Sequence, residues 1–423
     1  MLAFGMGNGL AYGLLGLPLA FVALPLYVVL PNYYAKEFGM PLAFLGGILL
    51  GARLFDAFID PLLGRLSDRL YARSANAVLQ AGVLAAVVLA LGFALLFFPQ
   101  VSGPNALMVW ACLMLMVTYA AYSFLSVSHQ SWGAMLGGND AERSHIVAWR
   151  EGLGLVGVVM ASVTPVALGM PATTAVFIVA LAIGWLAWTR AVQPVAKKDL
   201  PMSSGAIWMP FRQSNFKRLL LVFMLNGTAS AVPATLVLFF IQDRLQAPTS
   251  MEPLFLGSYF LTAAVSIPLW LAVVKRIGLA KTWLCGMALG IAVFSWASQI
   301  DGGQTTAFLI VCALSGVALG TDLTLPGAML AGVIQGNGDS GKAEGAYFGW
   351  WNFAIKLNLA LAAGLALPLL GVFGYEPGVR SPEALHALVI AYCVLPVVLK
   401  LAASAALYFL IIQPTSKPIG ATA

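Results

Sequence analysis

Charged residues are scarce in this sequence. Only 9% of its 423 residues are Asp, Glu, Lys or Arg, whereas 61% are hydrophobic, and a soluble globular domain carries roughly 25% charged residues. A soluble fold with so few charges would expose large apolar patches to water, which excludes that class. Within lipid every backbone N–H and C=O must be bonded inside the protein, so a chain crosses only as helices or a closed barrel. The apolar runs are long and lack the alternation of barrel strands, which predicts helices.

The motifs of common enzyme and cofactor chemistry are also missing. There is no nucleotide-binding loop, no HExxH motif and no Ser/His/Asp arrangement, so neither an enzyme nor an ATP-driven pump is indicated. We expect no cofactor, which leaves an ion gradient or the solute's own gradient as the energy source. The four cysteines lie inside apolar runs without a CxxC pair, which predicts small buried side chains rather than disulfides or metal ligands. They are Cys112, Cys285, Cys312 and Cys393.

Twelve apolar runs reach the length of about 20 residues that one membrane crossing requires. A basic linker at 193–216 separates an N-terminal half, 1–192, from a C-terminal half, 217–423, each with six runs. This division is typical of transporters built from two repeated halves. The expected spans are 10–32, 41–63, 77–98, 105–128, 145–168, 172–192, 217–240, 253–274, 279–299, 306–334, 345–373 and 384–412.

The charges in the loops predict an orientation. With the N-terminus inside, the even-numbered connections carry thirteen Lys and Arg residues and the odd-numbered ones carry three. Cytoplasmic loops are enriched in these residues, so both termini are predicted to be cytoplasmic, in the inner membrane. The same bias accounts for the formal net charge of +6 without a nucleic-acid partner. The thirteen are Arg65, Arg69, Arg73, Arg143, Lys197, Lys198, Arg212, Lys217, Arg218, Lys275, Arg276, Lys281 and Lys342.

Eight charged residues remain at membrane depth. Each costs roughly 2.5–3.5 kcal/mol at the bilayer centre, so we expect them to face a polar cavity, or else to lock helices together as ion pairs. Glu151 could pair with another helix, and Lys400 could either line the cavity or extend to the membrane surface. The eight are Arg53, Asp56, Asp60, Arg150, Glu151, Asp322, Lys356 and Lys400.

Three of these charges share one face of the second span. Arg53, Asp56 and Asp60 stand at positions i, i+3 and i+7, which project from the same side of a helix. Two carboxylates four residues apart repel each other when both are ionised, so Arg53, a bound cation or a proton must compensate. The spacing therefore predicts a site for a coupling ion, H⁺ or Na⁺.

The same stretch resembles a known family. Residues 51–69 read GARLFDAFIDPLLGRLSDR, which is similar to the second helix of the melibiose-permease family, the glycoside–pentoside–hexuronide:cation symporters of the major facilitator superfamily. Further similarity lies in SVSHQSWGA followed by DAERSHIVAWR, in DLTLPGAM at 322–329, and in 347–374 around Lys356. The resemblance implies an all-α membrane protein with the major facilitator fold, twelve transmembrane helices in two six-helix halves.

The resemblance also implies site residues. It places the cation between Asp56, Asp60 and a helix-four hydroxyl, Ser123, beside Arg53, and it places a substrate between the two halves. Asp322 is added because it is a charge at membrane depth, and Trp351 because its ring could stack on a substrate. The candidate substrate residues are therefore Tyr27, Tyr122, Ser126, His129, Arg150, Asp322, Trp351, Asn352 and Lys356. The candidate cytoplasmic gate comprises Gly64, Asp68, Arg69, Glu142 and Arg143. His129 could instead be a helix-end residue bonded to backbone, and Trp351 could be packed against lipid or core.

Three departures from the family pattern narrow the expectation. Ala20 and Ser126 stand where sugar-binding members carry carboxylates, and such groups bind sugar hydroxyls strongly, so a galactoside is disfavoured. Ile59 replaces an asparagine that assists Na⁺ binding, which favours H⁺ over Na⁺.

The sequence therefore predicts a monomeric secondary transporter that couples H⁺ or Na⁺ to a small organic solute by alternating access. An amphipathic lysolipid is the alternative substrate, and a non-transporting membrane receptor is the alternative class. Solute identity, transport direction and stoichiometry stay open at this stage.

Overall fold

A computed structural model describes residues 5–40, 42–194, 207–373, 375, 378 and 380–416, which form helices and no strand. Half of the predicted linker, residues 195–206 of 193–216, lies outside these described residues. In chain order the helices are α1 (Met6–Tyr27), α2 (Leu42–Arg73), α3 (Ala75–Phe97), α4 (Pro104–Met135), α5 (140–168), α6 (170–189), α7 (Ser214–Arg244), α8 (Thr249–Ile277), α9 (Leu279–Ala297), α10 (Thr305–Gly336), α11 (Glu344–Val372) and α12 (Pro382–Ile412).

The helices confirm twelve crossings. Ten helical segments among the described residues are long and apolar enough to cross a membrane. One of these, Asp140–Thr189, has 50 residues, more than twice the roughly 20 that one crossing requires. Gly169, at φ 77°, interrupts it in a conformation that glycine adopts without a steric penalty, so the segment supplies both α5 and α6. Helix α2, with 32 residues, completes the twelve.

Several helices extend beyond their apolar stretches. Helix α2 is predicted to end at 63 and ends at Arg73, and α4 is predicted to end at 128 and ends at Met135. Hydropathy marks only the part of a helix that lies in lipid, and Pro61 does not terminate α2. Helix α1 similarly continues, through a π-helical turn at Pro25–Val29, into the helix Leu30–Phe38.

The chain forms two compact units. The first unit comprises Met1–Pro210 and Ile334–Phe353, and the second comprises Phe211–Val333 and Ala354–Ala423. The first is built around fully buried aromatic side chains such as Phe93 and Phe177. The segment 334–353, which joins the end of α10 to the start of α11, packs with the first unit. The predicted division into 1–192, 193–216 and 217–423 stays a prediction.

The second unit has an aromatic core of its own. Phe240 stacks against Phe308 and Tyr392, at ring-centroid distances of 5.4 and 4.3 Å. At the far end of α7, Tyr375 donates to Asp243 at 2.5 Å. Burial, and secondly this hydrogen bond, raise the pKa of the Tyr375 hydroxyl above its ordinary value.

The cysteine prediction is confirmed in part. All four thiols are free, and Cys312 and Cys393 are buried. Cys285 is exposed on α9, so the prediction that it is buried is wrong. An apolar sequence does not distinguish a lipid-facing position from a core position, because both surroundings are apolar.

Candidate functional site

The first unit buries the two carboxylates of α2. Asp56 is 1% exposed and Asp60 is 0% exposed. The Ser123 hydroxyl of α4 donates to Asp56 Oδ1 at 2.7 Å, so the helix-four hydroxyl implied by the family resemblance contacts the predicted carboxylate. An ionised carboxylate gains more from such a bond than a neutral acceptor does.

One cation accompanies the carboxylates on the same helix face. The guanidinium carbon of Arg53 lies 4.5 Å from the ring centroid of Tyr27, within the range of a cation–π contact. Tyr27 lies in turn 5.9 Å from Tyr119, between ring centroids. One guanidinium and two carboxylates thus share this helix face, and two carboxylates four residues apart repel each other when both are ionised.

Glycines of α11 explain why Asp60 is buried. A Cβ on Gly349 would lie 2.7 Å from the carbonyl oxygen of Asp60 and 2.8 Å from Cα of Pro61. A Cβ on Gly345 would overlap the carbonyl oxygen of Gly64. The start of α11 therefore lies directly on the backbone of α2 and covers Asp60, an approach that only small residues permit.

Asp68 binds the N-terminus of α11. Its carboxylate accepts from the backbone N–H groups of Gly345, at 2.6 Å, and Ala346, at 3.0 Å. Arg65 lies 3.5 Å from the same carboxylate. The first N–H groups of a helix lack partners within the helix and carry partial positive charge, so a buried anion is stabilised there. Asp68 is 3% exposed.

The rest of the predicted gate has mixed surroundings. Arg143 donates to Gln335 at 2.6 Å, and to Asp140 at 2.5 Å, so it reaches the end of α10. Glu142 instead forms the reciprocal capping box with Asn139 at the start of α5. Arg69 is exposed.

Arg150 pairs with the residue next to it. Both Nε, at 3.0 Å, and Nη2 of Arg150 donate to Oε1 of Glu151. Adjacent helix positions point about 100° apart, which suggested another helix as the partner of Glu151, but the long guanidinium side chain reaches around. Gly16 allows α1 to approach α5 closely at this pair, because a Cβ on Gly16 would lie 2.5 Å from the Arg150 carbonyl oxygen.

His129 of α4 faces α1. Its Nε2 is 2.7 Å from the Tyr12 carbonyl oxygen, and the Tyr12 hydroxyl donates to the His129 carbonyl at 3.1 Å. The two rings stack with centroids 4.3 Å apart. Of the two roles that the sequence leaves open for His129, this fully buried geometry favours the one bonded to backbone.

The remaining candidates fall in both units. Ser126, partly buried, accepts from Gln130 at 3.0 Å, and Tyr122 is also partly buried. Trp351 and Asn352 are buried in the first unit. Lys356 is partly buried and belongs, with Asp322, to the second unit.

Asp322 accepts four hydrogen bonds in the second unit. Its Oδ1 accepts from Asn226 at 2.8 Å and from the Trp283 indole at 2.9 Å. Its Oδ2 accepts from Ser230 at 3.0 Å and from Lys400 at 3.2 Å. A carboxylate offers about four lone-pair sites, so the acceptor capacity of Asp322 is filled.

Lys400 is the cation of this network. Besides Asp322, its ammonium donates to Asn226 at 2.8 Å and to Ser230 at 3.0 Å, which uses all three donors. Lys400 is 4% exposed, so it lies in the interior and does not extend to the membrane surface. Sequence reasoning missed Asn226, Ser230 and Trp283. The signal was present in α7, where Asn226 and Ser230 stand four residues apart within an apolar helix.

Asp322, Lys400 and Ser230 of this network line a cavity of about 330 Å³ within the second unit. Residues of α7, α8, α9, α10 and α12 line it. Its lining residues are Ser230, Pro233, Ala234, Thr235, Val237, Leu238, Phe255, Leu256, Tyr259, Phe260, Gly290, Phe294, Cys312, Ser315, Ala318, Leu319, Asp322, Tyr392 and Lys400.

Residues 3–413 match a family described as MFS/sugar transport protein. The chain is 24% identical to the uncharacterized symporter YjmB of Bacillus subtilis, over 85% of this chain and 82% of that protein. It is also 24% identical to a putative sulfoquinovose importer of Salmonella typhimurium, covering 83% and 78%, and to the isoprimeverose transporter of Lactiplantibacillus pentosus, covering 86% and 80%.

Solved structures share the fold. A bacterial homologue of the iron transporter ferroportin, in the outward-facing state, has a TM-score of 0.70 at 16% identity, covering 97% of this chain and 99% of that one. The transporter FucP in its outward conformation has a TM-score of 0.67 at 14% identity, covering 95% and 99%. At sequence identities this low, the comparison shows only that the folds are similar.

Proposed function

Because the chain belongs to the MFS/sugar transport protein family, whose members are multi-pass membrane transporters of small solutes and not enzymes, we propose that it couples H⁺ or Na⁺ movement to transport of a sugar-like solute. The cation would bind at Asp56 and Asp60, and alternating access would carry both ligands across. Coupling arises when cation and solute favour the same conformational state.

The buried carboxylate pair carries this proposal. Asp56 and Asp60 are both buried, four residues apart on one helix, in a medium where ionised side chains are expensive. Two carboxylates so close along a helix repel each other when both are ionised, and a bound proton or cation relieves that repulsion. Ser123 supplies a further oxygen at 2.7 Å from Asp56, which suits either a proton-sharing site or a hard cation that prefers oxygen ligands.

The ion is proposed to be H⁺ in preference to Na⁺. Ile59, next to Asp60 on α2, offers no side-chain oxygen where the resemblance places an asparagine. A Na⁺ site would therefore lack one ligand, whereas a carboxyl group needs no additional ligand to bind a proton.

The solute is proposed to be a sugar or glycoside, and an anionic sugar is the preferred candidate. The relatives include proteins named as a putative sulfoquinovose importer, an isoprimeverose transporter and a putative glycoside/cation symporter. Arg150 and Lys356 are cations that an acidic group on a sugar would favour, together with the polar groups of Tyr122, Ser126 and Asn352. The relatives' names support a sugar over a lysolipid.

Gate, orientation and assembly complete the proposal. Asp68, Gly64 and Arg143 would hold the cytoplasmic side closed through segment 334–353, and opening would break the bonds of Asp68 to α11. Both termini would face the cytoplasm, in the inner membrane, as the loop charges indicate. The protein would act as a monomer in contact with membrane lipid.

Reconstitution into proteoliposomes tests the function. An imposed pH gradient should drive accumulation of sulfoquinovose, isoprimeverose or a related glycoside above its external concentration, and a proton-conducting ionophore should abolish it. Accumulation that follows a Na⁺ gradient at constant pH would reverse the choice of ion. Uptake that never exceeds equilibration under either gradient, or uptake of lysophosphatidylcholine alone, would contradict the proposal.

A further inference from the structure

We propose that the cavity beside Asp322 and Lys400 binds an uncharged apolar group, an aryl or short alkyl substituent carried by the transported solute. The proposal rests on the proposed function, because a glycoside supplies both a sugar and such a substituent. It assigns the second unit a part in selecting the substituent, whereas the carboxylates of the first unit bind the coupling ion.

The Asp322–Lys400 network in the cavity lining excludes a charged occupant. Asp322 accepts four hydrogen bonds, and Lys400 donates three, all to protein groups. The two charges cancel, and neither has capacity left for a ligand. A charged ligand would therefore lose its hydration without gaining a free partner, whereas a neutral ligand leaves the network intact.

Aromatic side chains form much of the wall. Tyr259 and Phe260 meet edge to face with ring centroids 5.1 Å apart, and Phe294 lies 5.9 Å from Tyr392. Such surfaces bind a planar ring by stacking or by its edge. Buried water needs two to four polar partners, so a wall of this kind retains water poorly and favours an apolar group.

The hydroxyl groups of the wall favour a glycoside over a lipid chain. Thr235 and Ser315 donate to the backbone carbonyls of Ala231 and Val311, so their oxygens keep lone pairs that can accept from a hydroxyl. The sugar that carries the apolar substituent can donate a hydroxyl to these oxygens, whereas a hydrocarbon chain cannot. The volume of about 330 Å³ lies at the lower end of the roughly 300–1,000 Å³ typical of ligand pockets, which suits one ring.

Paired glycosides test the cavity in lipid nanodiscs. Thermal unfolding is followed with phenyl and methyl β-D-glucoside, β-D-galactoside and β-D-xyloside, so that each pair differs only in the substituent. For a sugar that binds, we expect the phenyl glycoside to half-saturate stabilisation at a concentration at least tenfold below that of the methyl glycoside. Ala318→Leu, which fills the cavity, should remove this advantage. Ala272→Leu, an exposed alanine on α8 outside the cavity lining, should keep it.

A second filling variant guards against misfolding. Ala234→Leu enlarges an exposed lining residue and replaces Ala318→Leu if the latter does not fold. Equal half-saturation by phenyl and methyl glycosides, or a phenyl advantage that survives cavity filling, would overturn the proposal. A further result would also overturn it: no phenyl advantage, together with native mass spectrometry that finds lipid bound to the wild type and not to the filled variant.

Failure of the proposed function can be distinguished from failure of the cavity proposal. If no glycoside of any pair stabilises the protein, the sugar assignment fails. Thermal unfolding with benzyl alcohol then tests whether the cavity binds an aryl group. Stabilisation of wild type and Ala272→Leu, but not of the filled variant, supports an aryl site without a sugar. Equal responses of all three proteins to benzyl alcohol would overturn it.

Discussion

The two units bury carboxylates in opposite ways. In the first, two buried carboxylates, Asp56 and Asp60, share one helix face with Arg53. In the second, Asp322 is matched by Lys400, and four hydrogen bonds fill its acceptors. We therefore propose two roles for the same residue type. A pair of neighbouring carboxylates can gain and lose a cation during a transport cycle, whereas a carboxylate whose acceptors are all filled is held in place and organises its surroundings.

Removing a carboxylate of the first unit should give the largest effect. We expect Asp56→Asn and Asp60→Asn each to abolish accumulation of solute above equilibration, because a neutral amide cannot exchange a proton. Proteoliposome uptake with an imposed pH gradient measures this effect, and thermal unfolding checks that each variant folds. Glu37→Gln, at an exposed position, is the control. Gradient-driven accumulation retained by both variants would erase the contrast between the units.

Breaking the ion pair of the second unit should lower the thermal stability of the protein. Lys400→Met leaves the Asp322 carboxylate buried without its cation, and breaking a buried ion pair in this way costs about 3–5 kcal/mol. We expect a large fall in the unfolding temperature, and substantial recovery in Lys400→Met/Asp322→Asn, where no charge remains. A double-mutant cycle built on thermal unfolding measures the coupling. Additive effects of the two substitutions would show that the pair is not a unit.

Asp68 is a buried carboxylate stabilised in another way, by backbone N–H groups. Asp68→Asn weakens two charge-assisted hydrogen bonds to the start of α11, and hydrogen bonds to charged groups contribute about 1.5–3 kcal/mol each. We expect a moderate loss of stability and faster labelling of a cysteine placed in segment 334–353. Arg69→Gln, which changes an exposed neighbour, is the matched control. Identical labelling rates for both variants would remove Asp68 from the gate.

The smallest effect is expected at Ser123. Ser123→Ala removes one hydrogen bond to Asp56, and a bond of this kind is worth about 1.5–3 kcal/mol when its acceptor is charged. A hydroxyl that donates to a carboxylate favours its ionised form, so without this bond Asp56 should take up a proton at a higher pH. Half-maximal uptake should therefore shift to higher pH, and the maximum rate should change less. Ser162→Ala, on an exposed face of α5, should leave the profile of uptake against pH unchanged. A profile unaltered by Ser123→Ala would leave the carboxylates as the entire site.

The sequence predicted some contacts of the site and not others. The i, i+3, i+7 spacing placed Arg53, Asp56 and Asp60 on one face because helical periodicity is local. It did not predict the pairing of Glu151 with Arg150, since the reach of a long side chain overrides the angle between adjacent positions. His129 was left with two roles, and its stacking on Tyr12 favours one of them.

Composition, apolar run length and the spacing of charges determined a twelve-helix membrane protein and the carboxylate pair of α2, because each depends only on neighbours along a helix. Tertiary structure alone decided the partners of Lys400. Asn226, Trp283, Asp322 and Lys400 come from α7, α9, α10 and α12, and no local pattern shows that an ammonium on one helix meets a carboxylate on another. The burial of Asp60 beneath Gly349 was likewise decided by helix packing, since a glycine permits close approach without specifying which helix approaches.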